Sequence, residues 1–332
     1  LWDIRPGRFS GPRFDVFTGD ATRRPRVLLE GEVLTPADET YRLSVPVEYR
    51  DSFDTDILAA LRDIAGVSTL ALHPFIMDTQ AVVDSFGIVK SVLSSESCDF
   101  KDQIIQIYPK RFTNLQFPRF MHGDMGLTGD SFGFAIGHVP GFKTIRRGHE
   151  VEIMPIIQYD CLLEIRPPRG GEIEFDHVRR LMYRLRDLGL PIKWATFDSF
   201  QSTDTIQMLR QRGFITGLLS MDTDTLAYDV TKQALYDRRI VAPEHAKAQG
   251  EIVRLERDPK TKKIDHPARG SKDVSDAMAG VCYGLTMRRD VWRQHGIPIT
   301  SIPRGLLKAE DKSRGSLNQT ENRQPTHPGL RA

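Results

Sequence analysis

The chain has 332 residues, 39% of them hydrophobic and 27% charged. That composition suits a globular protein with a real core in one large domain or two smaller ones, and excludes disorder throughout. The 46 basic residues nearly cancel the 44 acidic ones, so a surface wholly coated in positive charge is excluded and nucleic-acid binding would have to come from local patches. No apolar run approaches the ~20 residues needed to cross a bilayer, and no charged-then-apolar leader opens the sequence. Cys98, Cys161 and Cys282 lie too far apart for a CxxC knuckle and are odd in number, which points to a reducing, cytosolic setting. The first residue is Leu rather than Met, which suggests a fragment of a longer chain.

The opening region predicts short strands at Phe14 to Phe17, Arg26 to Leu29 and Tyr41 to Val47, then a helix from Thr55 to Ile64 stopped by Gly66. Val67 to Pro109 has weak periodicity and is expected to be connecting structure. From Arg119 the pattern becomes a three-stranded meander of Arg119 to Met125, Phe132 to Val139 and Glu152 to Ile165, punctuated by Thr128-Gly129-Asp130 and Pro140-Gly141. A helix over Asp176 to Leu188 follows, then a buried strand at Ile192 to Phe197, a helix at Thr203 to Arg212 and a strand at Phe214 to Met221. Strands beyond the meander are expected to run parallel, because helices connect them. Helices are further predicted over Asp224 to Asp237 and His245 to Glu256, a short hairpin edge at Lys260 to Asp265, and a strongly periodic helix over Asp273 to Met287. Beyond Arg288 the sequence turns polar, and the tail from Ala309 is expected to be disordered. No repeat of 20 to 50 residues is apparent, which makes a solenoid unfit.

Three carboxylate motifs carry the chemistry. Met121-His122-Gly123-Asp124-Met125-Gly126 puts an Asp at the end of the first meander strand between glycines that would let an ion or phosphate approach; a plain turn Asp is the alternative. Trp194-Ala195-Thr196-Phe197-Asp198-Ser199-Phe200 puts another at the C-terminal end of a central parallel strand, where open sheets bind ligands; helix capping is the alternative. Gly270-Ser271-Lys272-Asp273-Val274-Ser275-Asp276-Ala277 opens the last long helix with two acids on one flank; complementing the helix dipole is the alternative. Two strands and a late helix bearing such acids correspond to an α/β ribonuclease-H-like mixed sheet, an antiparallel meander followed by parallel strands, flanked by helices. In that fold the acids bind two Mg²⁺ or Mn²⁺ ions, and hard, oxygen-preferring ions account for Asp as the ligand type.

His122-Gly123-Asp124-Met125-Gly126-Leu127-Thr128-Gly129-Asp130, Thr196-Phe197-Asp198-Ser199-Phe200-Gln201-Ser202, and Ile264-Asp265-His266-Pro267 running into Gly270 to Ala277 resemble, in order and spacing, the large terminase subunit of tailed double-stranded DNA bacteriophages. The resemblance covers roughly Phe120 to Leu285. It implies a nuclease domain that cuts concatemeric viral DNA during packaging, with Asp124, Asp198 and Asp276 as the catalytic metal-binding triad and Asp273 as an additional or alternative ligand. It also implies duplex DNA, the portal protein and the small terminase subunit as partners, and the cytoplasm of the infected host as location. Val45 to Arg50 and Asp63 to Val67 look similar to the segment joining that family's motor to its nuclease. Residues 1-115 are thus expected to be the end of the motor domain and linker, 116-290 the nuclease and 291-332 a flexible tail. No GxxxxGK[ST] phosphate loop occurs, so an ATPase motor would lie upstream or on another chain.

Gly129-Asp130-Ser131-Phe132-Gly133 matches the GxSxG elbow of hydrolases, but a strand rather than a helix is predicted after it. His122, His138 and His149 lack zinc-site spacing and are expected at the surface or in the core, with His122 on the same strand face as Asp124. Lys143, Arg146, Arg147, Arg166, Arg169, Arg269 and Lys272 are expected in loops flanking the strands as DNA-binding residues following phosphates. Arg269 and Lys272 adjoin the acidic helix, and solvated surface is the alternative for each. The tail residues Arg304, Lys308, Lys312 and Arg314 are expected, by the resemblance, to touch the portal or DNA. A non-catalytic DNA-binding or docking module, and a resolvase or transposase, stay open as other functions.

Overall fold

The computed structural model describes residues 11–19, 23, 25–36, 38–67, 74–125, 131–147, 150–198, 203–258, 261–267 and 270–302. Arg269, His149 and the tail basic residues lie outside them. The chain divides into two compact units, Leu1–Val83 with Ile252–Gly270, and Asp84–Glu251 with Ser271–Ala332.

In the first unit β1 (Arg13–Phe17), β2 (Arg26–Val27) and β3 (Arg42–Pro46) form an antiparallel sheet with β1 at its centre. Val16 and Val45 close a small core with Phe53, Ala60 and Leu61. The single helix expected over 55–64 is instead α1 (Arg50–Thr55) and α2 (Ile57–Asp63). Asp56 divides them: its backbone is extended, and its carboxylate accepts the Ala59 N–H at 3.0 Å, capping α2. α3 (Thr79–Val83) and the hairpin of Glu256–Arg257 with Ile264–Asp265 complete the unit.

The second unit is built on β4 (Ser97–Cys98), β5 (Arg119–Met125), β6 (Phe132–His138), β7 (Phe142–Arg147), β8 (Glu150–Pro155), β9 (Ile157–Ile165), α4 (Phe175–Asp187), β10 (Ile192–Phe197), α5 (Thr203–Gln211) and β11 (Ile215–Leu218). It continues through α6 (Leu226–Tyr236), β12 (Ile240–Val241), α7 (Ala246–Arg254), in which the division of units falls, α8 (Asp273–Met287) and α9 (Arg289–Gln294). The main sheet runs β11-β10-β5-β6-β9-β12, and β4 pairs with the far end of β9. β5, β6 and β9 are antiparallel; β10 is parallel to β5 and β11 to β10. An antiparallel meander extended on its first strand by two parallel strands is the ribonuclease-H-like order. The sheet also takes in β4, which precedes residue 116.

The meander differs from expectation in its third strand. Pro155 has no N–H to donate, the strand ends there, and Ile156 N–H turns to the Gly141 carbonyl at 2.9 Å. β8 therefore pairs with β7 as a separate ribbon, while β9 alone joins β6. Lys143, Arg146 and Arg147 accordingly sit on strand β7 rather than in a loop, because Phe142 to Arg147 pairs residue for residue with Pro155 to Glu150.

The two sheet faces differ in bulk. On β6 the large residues Phe132, Phe134 and Ile136 point to one side, where they join Met121, Ala195 and Phe197 and the apolar faces of α4 and α5. The alternating Gly133, Ala135 and Gly137 point to the other side, toward α8. A side chain at Gly133 would fall 1.8 Å from the Asp273 carbonyl oxygen, and one at Gly137 3.0 Å from Val281. α8 answers with its own glycines: a Cβ on Gly280 would meet the His122 ring at 2.2 Å, and one on Gly284 the Phe120 ring at 2.3 Å. Residues 274–286 of α8 are all buried, as befits a helix enclosed on every side.

Away from the acids, Arg119 is wholly buried and paired through two nitrogens with Asp160 at 3.1 and 3.2 Å. It also donates to the carbonyls of Thr113, Asn114 and Phe117, tying the lead-in segment to the start of β5. His138, expected in core or surface, is buried with Nδ1 on Asp160 and Nε2 accepting from Asn114.

Two stability outcomes follow from this packing. Gly133→Ala should cost about 1–3 kcal/mol in urea unfolding, because α8 backbone has to move. Asp160→Ala should cost about 3–5 kcal/mol by the same measurement, since it strands a buried guanidinium.

Candidate metal centre

Strand register brings Asp124 and Asp198 to one place. In the parallel pair, His122 lies beside Thr196 and Gly123 beside Phe197, and the Asp198 N–H reaches the Gly123 carbonyl at 3.3 Å. Neighbours in register share a face: Thr196 Oγ1 and His122 Nδ1 are 2.9 Å apart on the α8 side. Two residues further along β5, Asp124 returns to that side, and Asp198, just past the end of β10, lies near enough for its charge to act on Asp124.

Helix packing brings Asp276. Along α8, four residues rise about 6 Å, while two strand residues rise about 6.6 Å. Gly284 over Phe120 and Gly280 over His122 are one such step, and the next pairs Asp276 with Asp124. Asp273 sits over Gly133, which is opposite Asp124 on β6, but its carboxylate lies 3.5 Å from Lys247 on α7.

Burial and proximity show in the protonation of these groups. Asp124 is held well above the usual carboxylate range, first by burial and then by the charges of Asp276 and Asp198. Asp276 is pushed up to about 6 by burial, against the pull of Lys272. Its Oδ2 accepts from Lys272 Nζ at 2.7 Å and its Oδ1 from the Tyr228 hydroxyl. Tyr228 stays protonated, its pKa raised by burial and by Asp276. Asp198 Oδ1 is buried without a hydrogen-bond partner. His122 is driven down to about 3 by burial, so it stands neutral beside the acids, with Nε2 unpartnered beneath Gly280.

An all-oxygen donor set, one orphaned buried carboxylate oxygen and an acid whose pKa is raised by burial and by neighbouring acids fit a hard divalent cation. Among the described residues, however, no three His, Cys, Asp or Glu side chains stand together in ready ligand geometry. Both Asp276 oxygens already accept a donor, so an ion would have to share or displace one.

The surrounding residues were not legible as site residues. Glu251 on α7 caps the first turn of α8, accepting from Ser275 N–H and the Ser271 hydroxyl at 2.8 Å each. Lys247 joins Glu164 of β9 at 2.7 Å and Glu251 at 3.5 Å as well as Asp273. A Lys at 247 and a Glu at 251 share a helix face by spacing, but nothing local ties them to residue 273. Of the basic residues expected to bind DNA, Lys272 turns inward to Asp276 and to Asp222 at 3.2 Å. Lys143 donates to the Asp237 carbonyl at 2.8 Å and Arg147 pairs with Glu152 and Asp237. Arg166 pairs with Glu164 and Ser97, and Arg146 and Arg169 are exposed.

The acid cluster generates one stability outcome. Asp124 and Asp276 have folded pKa values above their unfolded ones, so the folded state holds more protons and stability falls as pH rises through that interval, for Asp276 from 3.8 to about 6. In chelator, the thermal midpoint should drop on going from about pH 5 to about pH 8. Asp124→Asn should melt above the unsubstituted protein at the higher pH.

No family model matches the chain, and no curated protein does. Among solved structures, the large terminase nuclease of thermophilic phage G20c is similar at 13% identity and a TM-score of 0.43, covering 62% of this chain and 96% of that one. Its magnesium-bound form is similar at 14% identity and TM-score 0.40, over 61% of this chain and 95% of that one. The large terminase nuclease domain of Thermus phage P74-26 is similar at 14% identity and TM-score 0.41, over 64% and 96%. The chain is similar to the nuclease domains of phage large terminases.

Proposed function

We propose that this chain is a metal-dependent endonuclease that cuts concatemeric double-stranded viral DNA during genome packaging. The observation that carries it is the meeting of Asp124, Asp198 and Asp276 on one sheet face by strand register and helix step. Asp124, Asp198 and Asp276 would hold two Mg²⁺ or Mn²⁺ ions, with Asp273 as an additional ligand. Asp276 is preferred over Asp273 because its charge acts on Asp124 more strongly than that of Asp273. When bound, such ions activate water and stabilise the departing 3′ oxygen of the phosphodiester.

The chain's own residues do the positioning. Gly280 and Gly284 let α8 approach β5 closely enough to set Asp276 beside Asp124. Tyr228 orients the Asp276 carboxylate, and Glu251 holds the first turn of α8 in place. Arg146, Arg166 and Arg169, all exposed, would follow DNA phosphates together with Arg269, without reading bases; Lys143, Arg147 and Lys272 have partners within the protein instead. The proposed organisation is a linker, expected over 1-115, a nuclease, expected over 116-290, and a tail, expected over 291-332, with β4 drawn into the nuclease sheet and α9 running past residue 290. The portal, the small terminase subunit and an ATPase motor on the same or another chain are the proposed partners, in the cytoplasm of the infected host. No helix among the described residues is long and apolar enough to cross a membrane.

One observation favours a second function, a non-catalytic DNA-binding or docking module: both oxygens of Asp276 are already engaged. Nicking of supercoiled plasmid with Mn²⁺ separates the two. An endonuclease should relax the plasmid, and Asp124→Ala should abolish nicking while retaining salt-sensitive DNA binding. Unchanged nicking by Asp124→Ala, or none by the unsubstituted protein, would sink the nuclease assignment. Cutting confined to branched junctions would point to a resolvase.

A further inference from the structure

Lys272 stands immediately ahead of α8, and its ammonium lies within the acid cluster. Nζ is 2.7 Å from Asp276 Oδ2 and 3.2 Å from Asp222 Oδ1. The Lys272 side chain is 12% exposed, that of Asp276 4% and that of Asp222 48%. One cation therefore joins a carboxylate on the floor of the cluster to a carboxylate at the surface. The other Asp276 oxygen is taken by the Tyr228 hydroxyl, so Asp276 has a donor on each oxygen. Asp198 differs, with Oδ1 buried and unpartnered. Within this cluster a protein cation is seated on Asp276 and not on Asp198.

We propose that Lys272 is a built-in cation that competes with a divalent metal ion for Asp276, and that Asp222 holds the ammonium when the ion takes its place. This rests on the metal-dependent function proposed above. A lysine ammonium is a compact charge on a flexible four-carbon stem, able to move between two acceptors without moving the backbone. A divalent ion on Asp276 Oδ2 would repel an ammonium at hydrogen-bond distance from the same oxygen, since like charges that close interact strongly where water is excluded. Asp222 is already within reach of Nζ and more exposed than Asp276, so the displaced charge has a counter-ion. Without metal, the same ammonium balances the charge of the buried Asp276 carboxylate from 2.7 Å.

The test is Mn²⁺ affinity of the folded, DNA-free protein, read from the electron paramagnetic resonance signal of free Mn²⁺. Lys272→Gln should bind Mn²⁺ roughly tenfold more tightly, the equivalent of one charge-assisted hydrogen bond withdrawn from the competitor. Asp222→Asn should bind it about threefold more weakly, because the ammonium loses its other acceptor. Asp222 is half exposed, so that variant decides the matter even if Lys272→Gln does not fold. A Lys272→Gln protein that binds no more tightly, or an Asp222→Asn protein that binds as well as the unsubstituted one, would overturn the competition and leave the metal centre standing. Unsubstituted, folded protein that takes up no Mn²⁺ at millimolar levels would overturn the metal-binding function, and the competition with it.

Discussion

The close approach of α8 to β5 and β6 is the constraint on which the rest of the second unit depends. Side chains are missing on both surfaces where they cross, at Gly133 and Gly137 on the strand and at Gly280 and Gly284 on the helix. A helix lying on a sheet without intervening side chains can rest only where those gaps coincide. Because a four-residue helical step nearly equals a two-residue strand step, the gaps coincide over several steps in one alignment. That alignment carries Asp276 to Asp124, just past the last glycine contact.

Such packing brings like charges together in a place water scarcely reaches, which is unfavourable for folding by itself. The surroundings offset part of it. Lys272 and Tyr228 donate to Asp276, Glu251 accepts from the first turn of α8, and Lys247 gathers Glu164, Glu251 and Asp273 on the opposite flank. Asp198 keeps an unsatisfied oxygen, and Asp124 keeps a raised affinity for protons. A cluster that favours added positive charge over folding stability is the electrostatic form expected of a cation-binding centre.

Much of this was legible one element at a time. Ile192–Phe197 and Asp273–Met287 have the bounds expected of them, because a buried strand and a buried helix have strong, unbroken periodicity. The β7–β8 ribbon was hidden because charged residues on Phe142–Arg147 obscure its alternation, and the break at Asp56 because apolar spacing continues across it. α9 was missed in a stretch that is polar overall, where only Val291 and Trp292 are buried. The basic residues illustrate another limit: charge near a motif suggests a ligand, yet Lys143, Arg147 and Lys272 each have partners far away in sequence.

The amino-acid sequence by itself determined the residue types and their periods: aspartates at the ends of two strands, a pair of aspartates opening a helix, and alternating small residues on one face of β6. Those are local properties, set by neighbours within a few positions. Only tertiary structure decided that Asp276 comes beside Asp124, that Tyr228, Glu251 and Lys247 surround the acids, and that Lys272 points inward. Each depends on how a helix seats on a sheet, a relation between segments more than 150 positions apart, as Gly284 and Phe120 are, that no window of sequence contains.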